Sequence, residues 1–283
     1  MGARVLTGTA LALAVAACLG LDALFPDGLV PWAVASLLGL LAVRELSRMG
    51  DLAPYRLGPP LFLAAVLASA LWLGFVLDPG LVGASTGPGR LMGLTYLAPL
   101  LLVVLVAALS PGGTGRIHWA VFGCVWILPP LFGLILVDAR WGVAGLGVLV
   151  ALSKVGDVFG YFVGRRIGRS HPFPRLSPGK TTAGCVASAV AGTVLGASLG
   201  AAGWLFDAGL GVLAGAGIGL ALNLSAQAGD LLESRVKRRA RVKDSSAWLG
   251  PAGGVLDVVD SLLLSVPVAL TIVPWLLADL PGV

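Results

Sequence analysis

Long apolar runs of Leu, Ala, Val and Gly recur along the whole chain, separated by short stretches rich in Pro, Gly and charged residues. Each run is long enough to cross a bilayer as a helix, which takes about 20 residues. The runs lack the period-two alternation of a membrane β-barrel strand. The pattern therefore predicts an all-α fold, a polytopic transmembrane helical bundle. Apolar windows set against their breakers give about nine spans, starting near Val5, Pro31, Leu61, Leu91, His118, Gly142, Ala183, Gly209 and Val255. At the N-terminus, Arg4 precedes an apolar run in which Val15-Ala16-Ala17-Cys18 has the form of a lipoprotein cleavage box. The run continues to about Leu24 and further spans follow, which favours a retained first helix. Two regions are expected: N-terminal spans over 1–140, and a C-terminal region over 141–283 that holds most of the chemistry.

Composition sharpens the picture. Hydrophobic residues make up 57% of the chain and charged residues 12%, with a mean hydropathy of +0.95, which excludes an ordinary water-soluble domain. Cys18, Cys124 and Cys185 lie in or beside apolar windows and have no metal-ligand spacing, so they read as small core residues. The net charge of +5 is concentrated in loops. With the N-terminus in the cytoplasm, Arg44, Arg48, Arg56, Arg116, the five basic residues from Arg165 to Lys180 and the six from Arg235 to Lys243 share the cytoplasmic side. Arg90 and Arg140 fall on the other side, and Lys154 lies inside a span. A basic belt of this kind attracts anionic membrane lipids. Nucleic acid is not expected as a partner.

Polar residues inside apolar runs are more telling, because a charge at mid-membrane costs about 2.5 to 3.5 kcal/mol or more. Lys154, Asp157, Tyr161 and Arg165 recur at helical spacing and share one face. Asn223, Gln227, Asp230 and Ser234 form a second stripe descending toward a basic loop. Asp257 and Asp260 follow Gly253-Gly254 at the start of the last span, where three-residue spacing puts both carboxylates on one face. An ion pair that only fixes helix packing would account for Lys154 and Asp157 taken alone. Four carboxylates at one membrane face, Asp230, Glu233, Asp257 and Asp260, call for cations, and metal ions supply them.

Carboxylates that can hold Mg2+ beside Lys and Arg suit phosphoryl or nucleotidyl transfer. The loop from Leu176 to Gly184 offers hydroxyls, Lys180 and flexible backbone as a phosphate cradle. Its Gly179-Lys180-Thr181 is not a P-loop: the leading glycine would fall at Pro174 and no strand precedes it. The repeat Gly211, Gly215, Gly219 reads as a close-packing stripe.

Gly229-Asp230-Leu231-Leu232-Glu233-Ser234, Lys237-Arg238, Val242-Lys243-Asp244-Ser245 and Gly253-Gly254-Val255-Leu256-Asp257 with Asp260 together resemble the signature of the phosphatidate cytidylyltransferases. Asp157, Tyr161, Gly164-Arg165 and Gly168 are similar to an upstream segment of that family, and Ser177-Pro178, Lys180-Thr181 and Gly184 to its Ser-Pro-x-Lys-Thr-x-x-Gly loop. The matched motifs run from about Asp157 to Asp260; the N-terminal half matches only as apolar spans. The resemblance implies attack of the phosphate of phosphatidic acid on the α-phosphorus of CTP, giving CDP-diacylglycerol and pyrophosphate, with Mg2+ and possible use of a second cation. It makes Asp230 and Asp257 metal ligands, with Glu233 and Asp260 nearby. Lys180, Lys237, Arg238 and Lys243 would bind phosphates, Ser177 and Thr181 would be lesser contacts, and Asp157 and Arg165 would belong to the substrate site. It further implies a homodimer in a bacterial-type inner membrane, with the active site facing the cytoplasm and feeding phospholipid synthesis.

The chain departs from the family pattern at Ala252, where a histidine is usual, at Val258, where an arginine is usual, and at Ala183, where a glutamate is usual. The histidine and arginine are two potential phosphate partners lost, while the carboxylates Asp230, Glu233, Asp257 and Asp260 are kept. This fits an active, divergent branch, and an inactive homologue is the alternative. A transporter with a polar midplane site is a third reading, carried by Lys154, Asp157, Asn223 and Gln227; no inverted repeat supports it.

Overall fold

A computed structural model describes residues 2–25, 28–77, 113–206 and 210–278. Their regular structure is helical: α1 (Gly2–Leu24), α2 (Leu29–Arg48), α3 (Gly58–Leu77), α4 (Gly113–Ile167), α5 (Thr182–Ala201), α6 (Gly211–Arg239), α7 (Val255–Val259) and α8 (Leu262–Ala278). Short 3-10 turns occupy Gly50–Tyr55 and Gly250–Ala252. Among the described residues, five helical stretches are long and apolar enough to cross a membrane: Leu29–Arg48, Gly115–Ile167, Thr182–Ala201, Gly211–Arg239 and Val255–Pro274. Ala12–Asp22 and Gly58–Leu73 are shorter apolar helices. The protein is thus a helical membrane protein. The span expected from Leu91 lies outside the described residues.

Gly142 divides α4. Its backbone (φ 64°, ψ −171°) is closed to residues with a side chain, and the break falls where the hydropathy pattern places a span boundary. A second break separates α7 from α8. The turn at Asp260 and Ser261 interrupts the helix expected to run on from Val255. Asp257 lies in the first turn of α7 and Asp260 in the turn beyond it, so the face expected to carry both is not continuous.

The chain forms two compact units, each built from separate stretches of sequence. The first comprises Met1–Ala139 and Lys237–Val259, the second Arg140–Val236 and Asp260–Val283. In the first, α2 and α3 run antiparallel. Trp32 Nε1 donates to the Ser69 carbonyl at 2.9 Å, the Ser36 and Ser69 hydroxyls are 2.8 Å apart, and Gly58 lies against Ser47. Leu46, Leu61, Leu128, Leu131 and Phe132 fill the core beside them, with Trp72 stacked on Phe132 at a centroid distance of 6.3 Å.

In the second unit α5 and α6 also run antiparallel, and glycines on both sides make the contact. Gly192 faces Gly219, Gly196 faces Gly215 and Gly219, and Gly200 faces Gly211 and Gly215. A methyl group on Gly196 would lie 2.7 Å from Gly219 Cα, inside any real carbon contact. Backbones approach this closely only where small residues allow it. The second arm of α4 joins by the same means: Gly160 and Gly164 lie against Gly184, and Gly156 against Ser188 and Asn223. Ser153 Oγ donates to Ser265 Oγ at 2.8 Å, tying α4 to α8.

Candidate active site

The antiparallel register set by the glycines continues toward the C-terminal end of α6, where polar residues replace them. Ser188 Oγ donates to Asn223 Oδ1 at 3.0 Å, Gln227 Nε2 donates to Asn223 Oδ1 at 2.9 Å and to the Cys185 carbonyl at 3.3 Å, and Lys180 Nζ reaches Asp230 Oδ2 at 2.7 Å. Lys180 also donates to the Gln227 carbonyl at 3.4 Å. It is placed there by Thr181, the N-cap of α5, whose side chain accepts from the Gly184 amide at 3.1 Å. Thr181 is buried and Ser177 half-buried. A cavity of about 170 Å³ opens here, with Asp157, Tyr161, Lys180, Thr181, Ser188 and Gln227 in its lining.

Three carboxylates of the same unit converge: Asp230, Glu233 and Asp260 each present an oxygen within 4.8 Å of the others. Asp230 and Glu233 are three residues apart on one face of α6. Asp260 reaches them because Gly229 has no side chain, which lets the Asp260–Ser261 backbone lie against α6. Glu233 is fully buried and Asp260 nearly so. Lys154 Nζ, on α4, lies 3.7 Å from Asp260 and 3.8 Å from Asp157. Three anionic oxygens within reach of one point form a hard-donor set that fits a divalent cation such as Mg2+. Farther along α4, Arg165 Nη1 donates to the Tyr161 hydroxyl at 3.0 Å, both side chains being exposed.

The first unit holds its own polar cluster. Asp257 Oδ1 accepts from Lys237 Nζ at 2.5 Å, and Oδ2 accepts from the amides of Gly254 at 2.7 Å and Ser245 at 2.8 Å. Both side chains of the Lys237–Asp257 pair are largely buried. Ser245 Oγ lies 2.7 Å from Asp257 Oδ2 and 2.8 Å from Glu45 Oε2. Glu45, from α2, is buried and also accepts from Ser246 Oγ at 2.7 Å and from the amides of Val255 and Leu256, each at 2.9 Å. Arg238 donates to the Val242 carbonyl at 3.2 Å, and both Arg238 and Lys243 are exposed.

Of the residues expected from sequence, the second unit thus brings Lys180 to Asp230, and gathers Asp230, Glu233 and Asp260 near Lys154. The first unit joins Lys237 to Asp257. Asp230 and Asp257, expected to act as a pair, belong to different units and each has its own set of partners. Glu45 was not expected. The sequence gives little signal for it, since it lies between Arg44 and Arg48 at the C-terminal end of α2.

The sequence model of the cytidylyltransferase family matches residues 2–276. The chain is 33% identical to the phosphatidate cytidylyltransferase of Chlamydia muridarum over 180 residues, covering 57% of this chain and 56% of that protein. It is 44% identical to the enzyme of that name from Brucella abortus over 131 residues, covering 44% of this chain and 45% of the relative. With the Mycobacterium bovis protein of the same name it shares 30% identity over 250 residues, 82% of this chain and 76% of the relative. In the first two matches the chain spans about half the length of the relative.

Proposed function

The chain belongs to the cytidylyltransferase family, and on that premise we infer that it transfers a cytidylyl group from CTP to phosphatidic acid, giving CDP-diacylglycerol and pyrophosphate. The observation that supports this reading best is the meeting of Lys180, Lys154, Asp230, Glu233 and Asp260 where the α5–α6 contact turns from glycine to polar. In the reaction a phosphate oxygen of the lipid forms a bond to the α-phosphorus of CTP. The bond from that phosphorus to the oxygen bridging it to the β-phosphorus breaks, and pyrophosphate leaves with the electron pair. Lys180, steadied by Asp230, offers an ammonium group to the phosphate oxygens, and Lys154 offers a second. Mg2+ held by Asp230, Glu233 and Asp260 supplies charge neutralisation when bound; the resemblance gives Asp257 a ligand role as well. Ser177, Thr181, Arg165, Asp157, and the basic residues Lys237, Arg238 and Lys243 are the further substrate contacts of this reading.

The reading also includes about nine spans with the N-terminus and active site facing the cytoplasm of a bacterial inner membrane, in accord with the basic loops, and a homodimer. Incubation of the purified protein with CTP, Mg2+ and phosphatidic acid is the test. Pyrophosphate and a CDP-lipid are expected in equal amounts, and neither from Asp230→Asn or Asp257→Asn. Wild-type turnover in both variants would sink the carboxylate assignment, and absence of CDP-lipid from the native protein would sink the reaction.

A further inference from the structure

We propose that Glu45 is a positioning residue for this reaction: from α2, far in sequence from the motifs between Asp157 and Asp260, it fixes the loop that presents Asp257. The inference rests on the cytidylyltransferase reading. Four donors converge on its two oxygens. Oε1 accepts from Ser246 Oγ and the Val255 amide, and Oε2 from Ser245 Oγ and the Leu256 amide. The four donors come from both sides of the stretch 247–254, so one side chain closes that stretch into a loop.

Asp257 is reached from the same two sides. Val255 and Leu256 form the first turn of α7, in which Asp257 sits. Ser245 donates its amide to Asp257 Oδ2, and its hydroxyl, 2.7 Å from that oxygen and 2.8 Å from Glu45 Oε2, shares its one proton between the two carboxylates. Gly254, whose amide also binds Asp257, has no room for a side chain because Glu45 and Ser245 pack against it. A carboxylate is the group this geometry requires. It presents two acceptor oxygens and no donor, whereas the glutamine amide has one oxygen and an NH2. In Glu45→Gln the serine hydroxyls can rotate away, but one backbone amide of α7 must face an NH2. With Glu45 buried, leaving that amide without an acceptor costs free energy.

The test compares native protein with Glu45→Gln and Glu45→Asp by two readouts. The first is kinetic: Glu45→Gln should lower kcat roughly ten- to a hundredfold, the scale on which a remote change that misplaces a catalytic group slows turnover, with KM for phosphatidic acid unchanged. Glu45→Asp, which keeps both oxygens on a shorter stem, should recover part of that loss. The second does not need activity. Lys243 is exposed beside the loop, and its cleavage by trypsin should accelerate about tenfold in Glu45→Gln, with the rest of the digestion map unchanged.

Faster cleavage together with lowered kcat supports the proposal. Faster cleavage with native kcat, lowered kcat with native cleavage, or no change in either overturns it. If Glu45→Gln does not fold, Ser245→Ala and Ser246→Ala carry the same two readouts with smaller shifts. If the native protein makes no CDP-lipid, the functional reading fails while the cleavage rates still decide whether Glu45 fixes the loop.

Discussion

Lys180 and Asp230 sit 2.7 Å apart, each about a quarter exposed, and the pairing makes each the other's orienting group. Lys180→Met is expected to lower kcat/KM for CTP on the order of a hundredfold, the usual effect of removing one group that stabilises transition-state charge. Steady-state release of pyrophosphate measures it. Adding Asp230→Asn to Lys180→Met should remove the remaining turnover, because Asp230 also belongs to the Mg2+ donor set of this reading; residual turnover equal to that of Lys180→Met alone would show that Asp230 only orients Lys180. Chelation of divalent cations should abolish turnover, and added Mg2+ should restore it. At this scale much of the site was legible. A lysine in a Ser-Pro-x-Lys-Thr loop and carboxylates at helical spacing stand out in an apolar sequence. Glu45 did not, because it sits between Arg44 and Arg48, and a mixed-charge helix end looks like an ordinary membrane boundary. Only the fold shows that its partners lie 200 and more residues away.

The pairing of α5 with α6 shows how elements place residues. Glycines were read from sequence as close-packing positions, and the contact bears this out. Their register was not legible, since a four-residue repeat on two helices allows several alignments. The alignment adopted carries Ser188 to Asn223, Cys185 to Gln227 and Lys180 to Asp230 along one line. Gly196→Leu is therefore expected to destabilise the protein by about 3 kcal/mol or more, beyond ordinary overpacking because backbone rather than side chain is displaced. Lowered thermal stability in detergent would record it. Activity should fall with it, although Gly196 lies four helical turns from Lys180 and touches no substrate in this reading. The break before α8 is the other feature hidden from sequence. No glycine or proline marks residues 260–261, and the spacing of Asp257 and Asp260 reads as an unbroken helix.

The whole molecule was legible as a polytopic helical membrane protein from its apolar windows alone. Its division was not, because the first unit recruits Lys237–Val259 from a distant part of the chain, and hydropathy carries no information about such long-range assembly. Separately produced fragments 1–139 and 140–283 make this testable. The first lacks every donor to Glu45, so it should aggregate or be degraded when produced alone, and coexpression with the second should restore a protease-resistant complex that extracts together in detergent. Stable, monodisperse fragment 1–139 on its own would contradict it.

That discontinuity also sets an order of events during synthesis. Residues that complete the unit holding α1, α2 and α3 leave the ribosome only after α5 and nearly all of α6 have been made. Until then Glu45 must wait in the bilayer without the serines and amides that later surround it, and a nascent chain arrested before residue 245 should be a preferred target for membrane quality-control proteases.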